Sequence, residues 1–220
     1  MKVRISLSLL AALGALAPVF LLAENWPEFR GPGAEGHAPD AKVPLLWSAT
    51  KNIRWKVPVE GKGWSSPVVA NENVFVTTAV VNGEDLTLEA RCYQLSDGKE
   101  VWKQEIFKKK AGAIHQKNSH ASPTPVVAEG RVYLHFGHDG TACLNATDGK
   151  ILWTQTSLSY SPVHGNGGSP VIFGDKLIFA CDGQTDPFVV ALNKEDGSVI
   201  WKTPRAVTVQ RTFSFSTPLM

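Results

Sequence analysis

Residues 191 to 201 read Ala191-Leu192-Asn193-Lys194-Glu195-Asp196-Gly197-Ser198-Val199-Ile200-Trp201. Ala191 to Asn193 reads as the end of a strand. Asp196-Gly197 reads as a tight hairpin turn, because Gly takes positive φ freely and Asp tolerates it. Val199, Ile200 and Trp201 open a β-rich return strand. The stretch occurs three times: Asp97-Gly98 leads to Trp102, Asp148-Gly149 to Trp153 and Asp196-Gly197 to Trp201. The tryptophans are 51 and 48 residues apart. Trp55, within Ile53-Arg54-Trp55, is a weaker echo 47 residues before Trp102, with no Asp-Gly ahead of it.

A second marker keeps the same period. Ser66-Pro67-Val68, Thr124-Pro125-Val126, Ser169-Pro170-Val171 and Thr217-Pro218-Leu219 share one pattern. The first three precede a turn and an apolar run: Val74-Phe75-Val76, Val132-Tyr133-Leu134 and Leu177-Ile178-Phe179. Each unit therefore holds four strands, here A (after the proline), B (the apolar run), C (into Asp-Gly) and D (the tryptophan strand). Four strands per repeat of roughly 40–50 residues predict an all-β propeller of four-stranded antiparallel blades. Strand B lacks an inside/outside alternation, as expected where stacked blades bury both its faces.

The repeat resembles the tryptophan-docking motif of the pyrroloquinoline-quinone-like propellers, a family that includes quinoprotein alcohol dehydrogenases and BamB-type outer-membrane assembly propellers. In that family the motif runs Ala-x-Asp-x-x-Thr-Gly-x-x-x-Trp. Its positions fall on Ala191, Asn193, Asp196, Gly197 and Trp201; on Cys143, Asn145, Asp148, Gly149 and Trp153; and on Cys92, Gln94, Asp97, Gly98 and Trp102. The resemblance implies that Trp55, Trp102, Trp153 and Trp201 dock blades together against glycines such as Gly98, Gly149 and Gly197.

In chain order, Lys2 and Arg4 precede an uncharged stretch ending at Ala23, so residues 1–23 read as a secretory signal, or else as an uncleaved anchor. No Cys directly follows that stretch, so the lipid anchor of BamB-type proteins is not expected here. Residues 24–46 are rich in Pro and Gly and should form an extended strap, covering a blade edge or plugging the channel. Residues 47–57 hold an orphan D strand around Trp55, expected to close the ring. Full blades are expected at about 64–106, 121–157 and 166–203, with 213–220 starting another. A closed propeller needs at least four blades, so the chain is expected to be part of a longer protein with two bare sheet faces.

The chain has 220 residues and a formal charge of +2, too small to suggest nucleic acid. Lys108-Lys109-Lys110 reads as a solvated joint after the first blade. Cys92 and Cys143 occupy the position where the third unit has Ala191, which therefore wants a small apolar group. Cys181 also reads as structural, with a partner elsewhere in a longer protein as the alternative.

A blade with A innermost places the D-to-A and B-to-C connections on one face, and the Asp-Gly turns on the other. The first face collects His115, His120, Asp139, His164, Asn166 and Asp182 near the central axis. His120 and His164, at similar distances before a strand-A proline, are expected to lie close together. These residues are a candidate ligand or metal site, of unassigned metal. The alternative is loop side chains bonded to nearby backbone, with Gly137-His138-Asp139-Gly140 as a plain hairpin turn. Two functions follow. The first is a secreted or periplasmic non-catalytic scaffold for a protein or glycan, with no cofactor and no membrane span once the signal is removed. The second, implied by the resemblance, is a quinone-dependent alcohol or sugar dehydrogenase using pyrroloquinoline quinone with Ca²⁺. Family dehydrogenases carry adjacent cysteines beside the quinone, and no two Cys are adjacent here.

Overall fold

A computed structural model describes residues 25–39, 41–205 and 213–219. The signal read at 1–23 lies outside them. Three four-stranded antiparallel sheets account for the regular structure. Blade 1 holds β1 (Val68–Ala70), β2 (Asn73–Asn82), β3 (Asp85–Gln94) and β4 (Glu100–Lys110). Blade 2 holds β5 (Val126–Ala128), β6 (Arg131–His135), β7 (Thr141–Asn145) and β8 (Ile151–Gln155). Blade 3 holds β9 (Val171–Phe173), β10 (Lys176–Cys181), β11 (Phe188–Asn193) and β12 (Val199–Pro204). Every sheet is ordered by sequence, as in a propeller blade.

The tryptophans join the blades. Trp55, Trp102 and Trp153 lie flat on Gly98, Gly149 and Gly197, so close that a Cβ there would come within 2.5–2.7 Å of the indole. Each indole N–H donates to a carbonyl of the same turn: Trp55 to Leu95 at 2.8 Å, Trp102 to Ala146 at 3.0 Å and Trp153 to Lys194 at 3.0 Å. Gly is needed here twice over, for contact and for φ values of +73° to +75°. Among the described residues, no acceptor meets the Trp201 indole N–H.

The small repeat position follows from the same packing. Cys92, Cys143 and Ala191 pair across the ladder with Trp102, Trp153 and Trp201, and a bulge follows each of them. A larger side chain would collide with the indole beside it. All three cysteines are free and buried. Burial raises each thiol to about 12, so they remain protonated, apolar fillers.

The Asp-Gly pair is not a two-residue hairpin turn. Gly98 N–H donates to Gln94 O, Gly149 to Asn145 O and Gly197 to Asn193 O, which closes a wider loop. Each Asp then accepts the N–H two residues on, at Lys99, Lys150 and Ser198.

A second chain of bonds runs along the strand-A markers. Ser66 N–H donates to Thr124 Oγ1 at 3.0 Å, Thr124 N–H to Ser169 Oγ at 2.9 Å, and Ser169 N–H to Thr217 Oγ1 at 3.0 Å. The hydroxyl ahead of each proline thus fixes its distance from the preceding blade.

Several expectations are corrected. Residues 53–57 form no ladder, and the only bridge in 47–57 joins Ser48 to Lys51. Among the described residues, Trp55 docks without a strand around it. Residues 213–219 likewise form no strand, although Thr217 sits in the hydroxyl chain. Lys108, Lys109 and Lys110 are not a joint but the end of β4, paired with Thr87, Leu86 and Asp85 of the long β2–β3 hairpin. The strap is irregular apart from a short 3-10 turn at Pro32–Ala34. Trp26 bridges Val69 of β1, and Pro27 O accepts from Val127 N–H of β5, so the strap covers the inner edges of two blades beside the axis.

The two end faces also differ from the expected pair of bare surfaces. On the outer face of blade 1, Arg91 is held at 2.8 Å by buried Glu89, with Glu60 and Glu100 at 3.4 Å. Lys103 adds a contact to Glu89 at 3.0 Å. The outer face of blade 3 is apolar: Val171, Ile178 and Ala191, flanked by Val189 and Trp201.

Candidate functional site

The D-to-A connections (111–125, 156–170) and B-to-C connections (136–140, 182–187) emerge on one face, as the strand order requires. They bring the six candidate residues to that face in three separate groups.

The first group is His115 with His164. Their rings meet edge-on with centroids 5.2 Å apart, and His115 N–H donates to His164 O at 3.3 Å. Asn118 ties the two loops together by donating to His164 O at 2.9 Å and Asn166 O at 3.1 Å. His164 therefore partners His115 and not His120, because the 111–120 loop folds back on itself.

The second group is His120 with Asp139. Both are buried, and His120 Nδ1 lies 3.9 Å from Asp139 Oδ2. Asp139 Oδ1 accepts from Lys109 Nζ at 2.7 Å and faces His138 Nε2 at 3.4 Å. Asp139 Oδ2 has no hydrogen-bond partner. Burial pushes the His120 pKa below its ordinary 6.5, against the opposing pull of Asp139. The Gly137–Asp139 segment is a 3-10 turn with its Asp buried, not a plain hairpin turn.

Asn166 is the hinge between these groups. It accepts from Tyr160 Oη at 2.9 Å, meets His138 Nδ1 at 3.2 Å and donates to Phe136 O at 3.4 Å. A Cβ on Gly137 would overlap its carboxamide. Burial raises the Tyr160 phenol well above 10, so it stays a hydrogen-bond donor. Asp182 forms the third group, with both carboxylate oxygens bound by Arg205.

Two clefts open on this face and share His115 and Asn118. One, of about 420 Å³, is walled by Phe29, Trp64, Lys117, His164 and Phe215. The other, of about 480 Å³, lies over Lys62, Ala79, Ile114, Ser119 and His120. Trp64 and Phe215 are 59% and 46% exposed. Trp64, Lys117, Phe29 and Phe215 were not among the residues singled out from the sequence. Trp64 carried a signal: it is a tryptophan outside the docking position, two residues before the first Ser-Pro marker. Lys109 was hidden because its partner Asp139 is 30 residues away on another blade.

Asp139 and Asp182, the acids of the candidate set, are engaged by Lys109 and Arg205. The cysteines lie one per blade. Among the described residues, no group of three His, Cys, Asp or Glu side chains is placed to hold a metal.

Blades that dock by an indole on the next blade's turn glycine define a β-propeller of the quinoprotein-like class. A family model described as "Outer membrane protein assembly factor BamB" matches residues 52–214, and the chain belongs to that family. It is 35% identical over 82 residues to a quinoprotein ethanol dehydrogenase from Pseudomonas aeruginosa, covering 35% of this chain and 12% of that protein. Among solved structures it is similar to the quinohemoprotein alcohol dehydrogenase ADHIIG of Pseudomonas putida HK5. The TM-score is 0.60 at 16% identity, over 84% of this chain and 27% of that one. A quinohemoprotein alcohol dehydrogenase from Comamonas testosteroni gives 0.58 at 15%, over 82% and 27%. At these identities the structural likeness concerns the fold alone. The chain spans a small part of each of these proteins.

Proposed function

We propose that this chain is a non-catalytic binding module, secreted or periplasmic, that holds a protein or glycan partner on its loop face. The observation that carries the reading is the state of the candidate groups. Asp139 and Asp182 are locked in ion pairs, and Asn166 is spent on internal hydrogen bonds. Between them lie open clefts with exposed aromatic walls, a surface suited to contact. The reading of residues 1–23 as an export signal supports the location. Among the described residues no helix is long and apolar enough to cross a membrane.

A second reading, a quinone-dependent alcohol or sugar dehydrogenase, is favoured by the 35% identity to a protein named for that activity. One experiment separates them. The full-length protein is incubated with pyrroloquinoline quinone and Ca²⁺, desalted, and assayed for retained chromophore and for alcohol-dependent dye reduction. The binding-module reading expects neither. Retained quinone with turnover would replace it by the dehydrogenase.

A further inference from the structure

Charge is distributed unevenly over the surface. On the blades, Arg91, Lys103, Lys109, Arg131 and Lys194 each lie within 3.5 Å of a carboxylate. The two clefts of the loop face reverse this. Lys117 lines the first and Lys62 the second, and no acidic side chain lines either cleft. Lys62 and Lys117 are exposed and have no ion-pair partner among the described residues. Asp139, near His120, is buried and held by Lys109, and Glu60, next to Gly61, turns to Arg91 at 3.4 Å.

The shape adds a second constraint. A third depression, of about 340 Å³, shares Gly61 and Lys62 with the second cleft and Trp64 with the first. The three lobes therefore adjoin around residues 61–64 and the 112–120 loop. Trp64 and Phe215 stand partly in solvent, as platforms and not as lids. A run of adjoining, open, cationic lobes with aromatic walls fits an extended chain bearing carboxylates and apolar side chains better than it fits one enclosed small molecule.

We propose that these lobes take an acidic, aromatic-containing segment of a partner protein, its carboxylates meeting Lys62 and Lys117 and its rings resting on Trp64 and Phe215. The inference rests on the binding-module reading and names the partner's chemistry. Opposite charges at such a rim raise the association rate and select against basic partners.

The test uses the 220-residue chain. A fluorescein-labelled peptide of alternating Glu and Phe is titrated by anisotropy beside its Gln-Phe counterpart. The acidic peptide should bind, and the neutral one should bind about tenfold more weakly, with the gap closing as salt rises. Lys62→Glu with Lys117→Glu should remove the gap, while Lys62→Arg with Lys117→Arg should keep it. Circular dichroism confirms folding of both, since neither lysine touches the core. Equal binding of both peptides overturns the charge assignment and leaves the binding-module reading standing. Binding of citrate, read by calorimetry, with no peptide binding overturns the segment in favour of a small polyanion. Retained quinone with alcohol turnover overturns both readings together.

Discussion

The outer faces of blades 1 and 3 come from one repeat and behave oppositely. Aligned on the residue opposite the docking tryptophan, blade 2 places Ala142 and Leu144 toward its predecessor, and blade 3 places Val190 and Leu192. Blade 1 places Arg91 and Tyr93 there. Its face is closed by Glu89, Glu60, Glu100 and Lys103 around the Arg91 guanidinium, and by Trp55 on Gly98. Blade 3 ends in an apolar face whose indole has no acceptor among the described residues. The backbone template is shared, so side chains alone decide whether a sheet face is a seam or a surface. A buried charge network is a poor source of net stability, but it specifies what does not pack there.

The largest effect should separate docked from undocked indoles. Trp153→Ala removes a ring packed on Gly197 and should cost about 4 kcal/mol in urea denaturation. Trp201→Ala removes a half-buried ring with, among the described residues, no turn glycine against it, and should cost clearly less. Equal losses would break the comparison. Next comes the charged face. Arg91→Met strands buried Glu89 with only Lys103 and should cost about 3 kcal/mol, while adding Glu89→Leu should recover most of that loss. A double variant less stable than the single one would show the network to be a net stabiliser.

A pH series probes the seam between blades 2 and 3. His135 is fully buried there, bonded to Thr141 at 2.9 Å and stacked 4.1 Å from Phe179. Burial, with His138 nearby, lowers its pKa from 6.5 to about 3. The unfolded chain therefore binds the proton first, and stability is full above pH 6.5 and falls as pH drops toward 3. By pH 4.5 the loss from this group should be roughly 2–3 kcal/mol. His135→Leu should flatten that slope, and an unchanged slope would assign it to other groups. The smallest effect concerns the turn that receives Trp55. Gly98→Ala puts a methyl 2.6 Å from the indole at φ +75° and should cost about 1–2 kcal/mol. No loss would mean that Trp55 does not seal blade 1.

Much of this was legible in the chain. The period of the tryptophans and Ser/Thr-Pro markers yields the blades, because each blade repeats one set of local turns. The Cys92, Cys143, Ala191 position was readable as small and apolar, and its pairing with the tryptophan explains why. The sorting of loops onto one face also follows from strand order. What local pattern could not show is pairing between blades. Lys108 to Lys110 look like a loop because their register depends on the long β2–β3 hairpin. Glu89 and Arg91 are buried by each other and by their neighbours across the sheet, a pairing the local sequence does not signal. The division of the six candidate residues into three groups rests on partners 23 to 46 residues away: Arg205, Lys109 and, for Asn118, His164.

The most direct measurement is hydrogen exchange of the indole N–H groups in the 15N-labelled chain, with each resonance assigned by Trp→Phe substitution. Trp55, Trp102 and Trp153 should exchange slowly, because each donates to a turn carbonyl of the neighbouring blade. Trp201 should exchange at close to the solvent-limited rate. Protection of Trp201 equal to the other three, or fast exchange of all four, would contradict the blade-to-blade docking on which the account stands.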